Sequence, residues 1–180
     1  MANQEKLLAE RASKRDEDAF AKLYDLYVDK IYKYIYYKSG RTDEAEDLTA
    51  QVFMKAWEAI GHYRWEGYPF STWLYRIAHN QMIDYYRTHR ETFPLDTART
   101  RESGTDPLEQ AERTFTSARI KGALRHLTND QQRVIVLRFL EGYSTSEVAA
   151  IMDKDPDAIR ALQHRALRAL QPWMSEEKAG

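Results

Sequence analysis

Aromatic, basic and amide side chains are concentrated in one stretch of the sequence, YPFSTWLYRIAHNQMIDYYRTHR, which runs from Tyr68 to Arg90. Aromatic rings can stack on unpaired nucleic-acid bases, which contributes about 1–3 kcal/mol per base, and cationic side chains neutralise phosphates. Part of the stretch has the spacing of a helix packed on a core, and this part comprises Trp73, Leu74, Ile77, Ala78 and Tyr85. The remaining side chains predict a site for a base taken out of its duplex. One of them is an aromatic residue in the turn before the helix, and the others lie on the helix outside the apolar stripe: Phe70, Tyr75, Arg76, His79, Asn80, Tyr86 and Arg87.

A second set of basic residues lies in STSEVAAIMDKDPDAIRALQHRALRAL. The pattern predicts a short helix from Thr145 to Met152, a turn at Asp153, and a second helix that starts at Pro156, where a missing N–H costs nothing. A small Ala149 would let the helices approach closely, and Asp153 is expected to adopt a left-handed conformation. This layout is typical of a helix-turn-helix.

The second helix of this motif has two opposite faces. Its inward stripe is apolar and comprises Ile159, Leu162, Ala166 and Leu170. Its outward stripe and the preceding turn carry charged and polar groups, which we expect to meet DNA in the major groove. Arg160, His164 and Arg165 are the first choices for base edges, whereas Lys154 and Arg168 are expected to bind phosphates.

A third candidate surface lies on the helix DEAEDLTAQVFMKAWEAI. Its core side carries Leu48, Val52, Ala56 and Ile60, with Phe53 and Trp57 beside them. Its other side carries Asp47, Gln51, Met54 and Glu58. An exposed methionine among polar side chains favours a protein-binding face.

Composition limits the class of protein. The chain has 180 residues, no cysteine, seven glycines, and 27 basic against 28 acidic residues. There is no thiolate zinc site, disulfide framework or phosphate-binding loop, and no apolar run is long enough for a membrane span. We expect a cytosolic, all-helical protein without a cofactor, whose contact with nucleic acid is local or assisted, because its net charge is near zero.

Helix signals divide the chain into two blocks. In the first, one helix runs from Asp16 to Ser39, another is capped by Thr42 and ends at Gly61, and the aromatic helix is capped by Ser71 or Thr72. In the second, Thr128 and Ser144 each open a capping box. The intervening residues contain proline, glycine and hydroxyl residues without apolar periodicity. The predicted domains are therefore 1–90 and 107–180, joined by a flexible linker at 91–106.

Together the two blocks resemble the extracytoplasmic-function (ECF) group of sigma-70 factors. DEAEDLTAQVFMKAW resembles the region 2 segment that binds RNA polymerase, FSTWLYRIAHNQMIDYYR resembles the promoter-melting segment, and the helix-turn-helix resembles region 4. The resemblance implies a non-enzymatic transcription initiation factor. Its implied partners are core RNA polymerase, through the β′ clamp helices and β flap, promoter DNA, and an anti-sigma factor.

The resemblance also assigns residues to roles. It implies polymerase binding by Asp47, Gln51, Phe53 and Trp57, and the exposed Met54 predicted above joins this set. It places Phe70 and Asn80 around the flipped base of the −10 element, with Arg76, His79 and Arg87 beside them. It implies −35 element reading by Arg160, Ala161, His164 and Arg165. The linker of about 16 residues can extend to on the order of 55 Å, so both domains can reach separate elements of one promoter.

Two other functions are open at this point. A free-standing helix-turn-helix regulator with a sensing or dimerising N-terminal domain would bind its operator tightly without polymerase. A helical enzyme is the other, but the five histidines lack metal-ligand spacing, and no serine has a recognisable catalytic companion.

Overall fold

The computed structural model describes residues 2–89 and 119–175. Every regular element in those two ranges is helical, as the sequence predicts. The chain forms two compact units. The predicted linker and the domain boundaries at 90 and 107 lie outside the described residues and stay predictions. Within the described ranges, no helix combines the length and the hydropathy that a membrane crossing requires.

The N-terminal unit is a four-helix bundle. Its helices are α1 (Ala2–Ser13), α2 (Glu17–Ser39), α3 (Thr42–Ala59) and α4 (Phe70–Thr88), with a 3-10 turn at Ile60–His62. Helix α2 is central, because α1, α3 and α4 all pack against it. The buried faces carry the expected three- and four-residue spacing: Leu23, Ile31 and Ile35 of α2, Leu48, Val52 and Ala56 of α3, and Leu74 and Ala78 of α4 are all fully or almost fully buried.

The ends of α2 are set by local sequence. The Asp16 carboxylate accepts a hydrogen bond from the Ala19 N–H at 3.1 Å, which caps the helix. That hydrogen bond and the Arg11 guanidinium lower the pKa of Asp16. At the other end Gly40 adopts a left-handed φ of 73°, and its N–H donates to the Tyr36 carbonyl. The predicted start and end of this helix are confirmed.

The predicted caps of α3 and α4 are wrong. Arg41, not Thr42, occupies the cap position of α3, and its guanidinium pairs with Asp43 and Glu44. Helix α4 begins at Phe70, two or three residues earlier than expected, with Pro69 at the cap position. The Ser71 and Thr72 hydroxyls do not cap it; both are buried, with no hydrogen-bond partner in the described part of the chain.

Side chains from the N-terminal segment bind the start of α4 and the end of α3. A Glu5 carboxylate oxygen accepts a hydrogen bond from the Phe70 N–H at 2.6 Å, so a negative charge lies at the positive end of α4. Arg15, in the turn after α1, donates to the Trp57 carbonyl at 2.7 Å and the Glu58 carbonyl at 3.2 Å. A positive charge therefore lies at the negative end of α3. Helix α1 thus connects the ends of two other helices.

The C-terminal unit contains α5 (Asn129–Ile135), α6 (Thr145–Met152) and α7 (Pro156–Ser175), and residues 119–124 are also helical. Both predicted capping boxes are confirmed. Thr128 and Gln131 exchange side-chain to backbone hydrogen bonds before α5, and Ser144 and Glu147 do so before α6. Helix α5 continues into a π-helical turn, Val136–Leu140, which ends before a left-handed Gly142.

Candidate nucleic-acid and polymerase surfaces

Helix α7 separates an apolar side from a polar side. Of the expected inward stripe, Ile159 and Ala166 are fully buried, Leu170 is nearly so, and Leu162 is half-buried. The opposite side, together with the turn before it, is exposed; we call it the α7 face, and it comprises Lys154, Arg160, Ala161, His164, Arg165 and Arg168. All six residues predicted to contact the −35 element therefore lie on an accessible surface, and whether they contact DNA stays a prediction.

The turn before α7 has the predicted conformation. Asp153 has a φ of 53°, in the left-handed region, and the Lys154 N–H donates to the Ala149 carbonyl at 3.0 Å. The Asp155 carbonyl then accepts the first hydrogen bond of α7, from the Ile159 N–H. Aspartate tolerates positive φ better than most residues, so it can stand where such turns usually have glycine.

This turn gives a stability prediction. Replacing Asp153 by glycine removes the steric cost of positive φ, so the free energy of unfolding should rise by about 0.5 kcal/mol, whereas Asp153→Val should lower it by about 1–2 kcal/mol. Urea unfolding of the full chain, followed by circular dichroism, measures both. Lys154→Gly is the matched control: its φ is not positive, so glycine there should only destabilise. A gain at Lys154 equal to that at Asp153 contradicts the explanation.

Carboxylates accompany two of the cations of the α7 face. Arg160 forms an ion pair with Asp157 one turn before it, and the Lys154 ammonium lies 3.6 Å from the Asp130 carboxylate. Arg165 and Arg168 have no carboxylate partner within the described ranges. Exposed pairs of this kind contribute only about 0–1 kcal/mol, so phosphates can replace the carboxylates at little cost.

Sequence reasoning missed an arginine contact that supports α7. Arg138, in the π-helical turn, donates from one guanidinium nitrogen to the Tyr143 carbonyl at 2.6 Å and from another to the Gln163 side chain at 3.3 Å. Gln163 lies between the buried and exposed sides of α7. The arginine therefore links α7 to the backbone of the segment before α6. Arg138 lies within the apolar run VIVLRFL, and a lone charge in such a run is the only sequence signal for this role.

On α4, the residues predicted to contact the −10 element do not all share a surface. Arg76, Asn80 and Arg87 are exposed and His79 is half-buried; these four define the α4 face. Arg87 pairs with Asp84 at 3.1 Å. Because positions 76, 80 and 87 are four and seven residues apart, their side chains project from the same side of the helix.

Phe70 lies apart from the α4 face. It belongs to the first turn of α4 rather than the preceding loop, and its ring is only 1% exposed. The ring packs against Tyr63 and Trp73, each with a centroid distance of 5.3 Å, and against Tyr27. Its role in holding a base stays a prediction, but the structure places the ring in an aromatic cluster that shapes the start of α4.

Two further tyrosines of the stretch are more buried than expected: Tyr75 is a core residue and Tyr86 is half-buried. Tyr75 is fully buried and meets the Tyr34 ring edge-on at 5.1 Å. Burial, with the Glu44 carboxylate nearby, raises the pKa of Tyr86, so its hydroxyl stays protonated. The core stripe is wider than the one predicted because α4 packs against both α2 and α3.

Helix α3 presents three of the five predicted partner-binding residues. Asp47, Gln51 and Met54 are exposed, Met54 to 65%, and these three define the α3 face. The structure does not bring Phe53 to this surface: it is buried, with its ring 4.7 Å from that of Tyr24. Trp57 is half-buried between the Phe20 ring and the Arg15 guanidinium. Phe53 and Trp57 therefore support the helix that carries the other three.

Comparison with known proteins agrees with this arrangement. The family model for Sigma-70 region 2 matches residues 23–92, which include the α3 and α4 faces, and that for Sigma-70 region 4 matches residues 117–170. SigX of Bacillus subtilis, an ECF RNA polymerase sigma factor, is 31% identical over 88% of this chain and 84% of its own length. The chain belongs to the ECF RNA polymerase sigma factors.

Two other known sigma factors are similar to this one. The ECF sigma factor BldN of Streptomyces coelicolor is 38% identical over 94% of this chain, which spans 66% of that relative, just under two thirds of its length. The sigma factor RpoE of Bartonella quintana, solved in complex with the anti-sigma factor NepR, has a TM-score of 0.67 and 26% identity, over 87% of this chain and 96% of its own. The predicted family and helical fold are confirmed.

Proposed function

We propose that this ECF sigma factor binds core RNA polymerase through the α3 face, reads the −35 element with the α7 face, and opens the −10 element with the α4 face and the start of α4. The observation that carries the proposal is the polarity of α7. Ile159 and Ala166 on its apolar side are fully buried, while Arg160 and Arg165 on its polar side are exposed. A left-handed turn precedes the helix. A helix held in this way can enter a major groove without unfolding its support.

The α3 face suits a protein partner better than DNA. Asp47 is acidic, Gln51 is neutral and Met54 is apolar, and although the exposed Lys55 lies beside them, the face has no cluster of cations for phosphates. A methionine adapts its shape to an apolar cavity, and an exposed one among polar groups matches the pattern of an apolar centre with a polar rim. The half-buried Trp57 and the buried Phe53 anchor α3, the helix that carries this face, to the rest of the unit.

Overall charge supports an assisted mode of DNA binding. The net charge is −1, so the chain does not attract DNA by its charge as a whole. A few arginines supply contacts at one element, and affinity for the promoter then depends on polymerase holding both the protein and the DNA. The protein alone is accordingly expected to bind promoter fragments weakly.

A mobility shift with and without core polymerase tests the proposal. We expect little DNA binding by the protein alone at physiological salt, a stable complex when core polymerase is added, and run-off transcripts that start at fixed sites. Genomic fragments selected by the holoenzyme supply the promoter. A free-standing regulator would instead bind its operator tightly without polymerase and give no transcripts with core polymerase, and that result would exclude the sigma-factor mechanism for this chain.

Three further expectations belong to this proposal. The protein acts in the cytoplasm, where polymerase and DNA are, and it initiates transcription without catalysing a reaction of its own. An anti-sigma factor holds it inactive by covering the faces that polymerase and DNA need. The RpoE–NepR complex supports this last point, because it contains a relative of the same fold bound by an anti-sigma factor.

A further inference from the structure

Glu5 of α1 makes two hydrogen bonds to distant parts of the N-terminal unit. One carboxylate oxygen accepts from the Tyr27 hydroxyl and from the Phe70 backbone N–H, each at 2.6 Å. Glu5 is only half-buried, and Phe70 follows it by 65 residues. A charged acceptor strengthens both bonds relative to those between neutral groups.

The start of α4 has no cap of its own. Pro69 stands at the cap position without a side-chain acceptor, and the Ser71 and Thr72 hydroxyls are buried away from the free N–H groups. A helix start leaves four N–H groups without partners inside the helix, and a carboxylate placed there satisfies one of them and interacts favourably with the dipole. Glu5 is therefore the group that fixes where α4 begins.

The Glu5 carboxylate also contacts the aromatic cluster around the Phe70 ring. Tyr27 and Phe70, the two residues that Glu5 binds, have their rings 6.1 Å apart, and Tyr63 and Trp73 each contact the Phe70 ring. Burial, followed by the nearby Glu5 charge, raises the pKa of Tyr63, so this hydroxyl stays neutral beside the carboxylate. Loss of Glu5 would release the Phe70 N–H and the Tyr27 hydroxyl together and loosen residues 63–70, which lead into α4.

We propose that Glu5 is a positioning residue for −10 element recognition: it holds the start of α4 and the largely exposed segment before it in the shape that captures an unpaired base, with the buried Phe70 ring as the support of that segment. The proposal rests on the function proposed above and assigns α1 a part in it. Taking a base out of its stack is costly, so a capture site that must first become ordered opens fewer promoters than one already in place. Polymerase binding, which uses the α3 face, does not depend on Glu5.

The test compares Glu5→Ala, Glu5→Gln and Glu10→Ala in holoenzyme assays. Glu10 is the matched control, because it lies on the same helix and is exposed, and among the described residues its carboxylate pairs with Lys6 alone. Each holoenzyme is given a duplex promoter, a promoter with a mismatched −10 region that is already open, and four promoters that differ at the captured base. Measurements are made well below the melting temperature of each variant, and affinity for core polymerase is measured in parallel.

We expect Glu5→Ala to lower open-complex formation on duplex promoter about tenfold, the size of a lost hydrogen bond to a charged group. It should also lose discrimination among the four bases, while transcription from the already open promoter and affinity for core polymerase change little. Glu5→Gln keeps an acceptor oxygen and should recover most of the loss, and Glu10→Ala should match the unaltered protein. If Glu5→Ala is too unstable to assay, Tyr27→Phe removes one of the two bonds and should show a smaller loss of the same kind.

Other outcomes overturn the proposal. If Glu5→Ala reduces transcription equally from all four promoters and from the open one, Glu5 only stabilises the fold. If Glu5→Ala behaves as the unaltered protein does, the capture site does not depend on it, and the proposed function still stands. If the unaltered protein gives no transcripts with core polymerase at all, the proposed function fails and this proposal fails with it.

Discussion

Met54→Glu is expected to lower the affinity of the sigma factor for core RNA polymerase by about thirtyfold or more. Met54 is the most exposed large apolar side chain among those described and lies on α3 beside Asp47 and Gln51. In the proposed complex it becomes the buried centre of the interface, where such a residue contributes about 2 kcal/mol or more. A carboxylate there must lose its water without gaining a partner. Competition binding to core polymerase measures the change.

Leu26→Glu is the matched control for Met54→Glu. Leu26 is 55% exposed on α2, so both substitutions place a new carboxylate on an exposed apolar position of the same unit. We expect the control to bind core polymerase as the unaltered protein does, and both variants to keep their helical circular dichroism. Equal losses in the two variants would attribute the effect to charge or stability. Full polymerase affinity in Met54→Glu would remove the α3 face from the proposed function.

Arg165→Ala is expected to weaken binding of the holoenzyme to promoters that carry a −35 element by about tenfold to a hundredfold. An arginine bound to a base edge contributes about 1–3 kcal/mol of discrimination, and Arg165 is exposed on the α7 face without a carboxylate partner among the described residues. Arg160→Ala should cost at least as much, because it also leaves the Asp157 carboxylate unpaired toward DNA. Promoter binding at several salt concentrations measures both.

A double substitution separates the two contributions of Arg160. If the unpaired Asp157 adds to the loss, Arg160→Ala combined with Asp157→Asn should bind better than Arg160→Ala alone, whereas Asp157→Asn should do little to Arg165→Ala. Arg125→Ala, at an exposed arginine outside α7, is the control and should bind promoters normally. Affinity for core polymerase should be unchanged in all of them. A matching loss of polymerase affinity in Arg165→Ala would contradict the assignment of the α7 face to DNA.

Local sequence was sufficient for much of the C-terminal unit. The boxes opened by Thr128 and Ser144, the left-handed Asp153, and the start of α7 at Pro156 all depend on residues no more than a few positions apart. The two sides of α7 follow from helical periodicity in the same way. Such features are visible in a sequence because the groups that interact are also neighbours along the chain.

The N-terminal unit was less predictable where several helices meet. Periodicity located three of its four helices but did not predict α1. It also left the buried Tyr75 and the half-buried Tyr86 outside the predicted stripe of α4, because α4 packs against both α2 and α3. It also placed Phe70 in a loop. The exposed Asp47, Gln51 and Met54 were separated correctly from the buried residues of α3, since that helix has one simple solvent side.

The sequence by itself determined the helical fold, the family resemblance and the polarity of α7, because each rests on short-range pattern. Only the tertiary structure decided which side chains bind the start of α4 and the end of α3. Serine, threonine and aspartate close by in the sequence are the usual caps at a helix start, yet Glu5 caps α4 from 65 residues before Phe70. At the end of α3, the Trp57 carbonyl accepts from Arg15, 42 residues before it. No local pattern specifies such a bond, because the two partners become neighbours only after α1 has packed against the bundle.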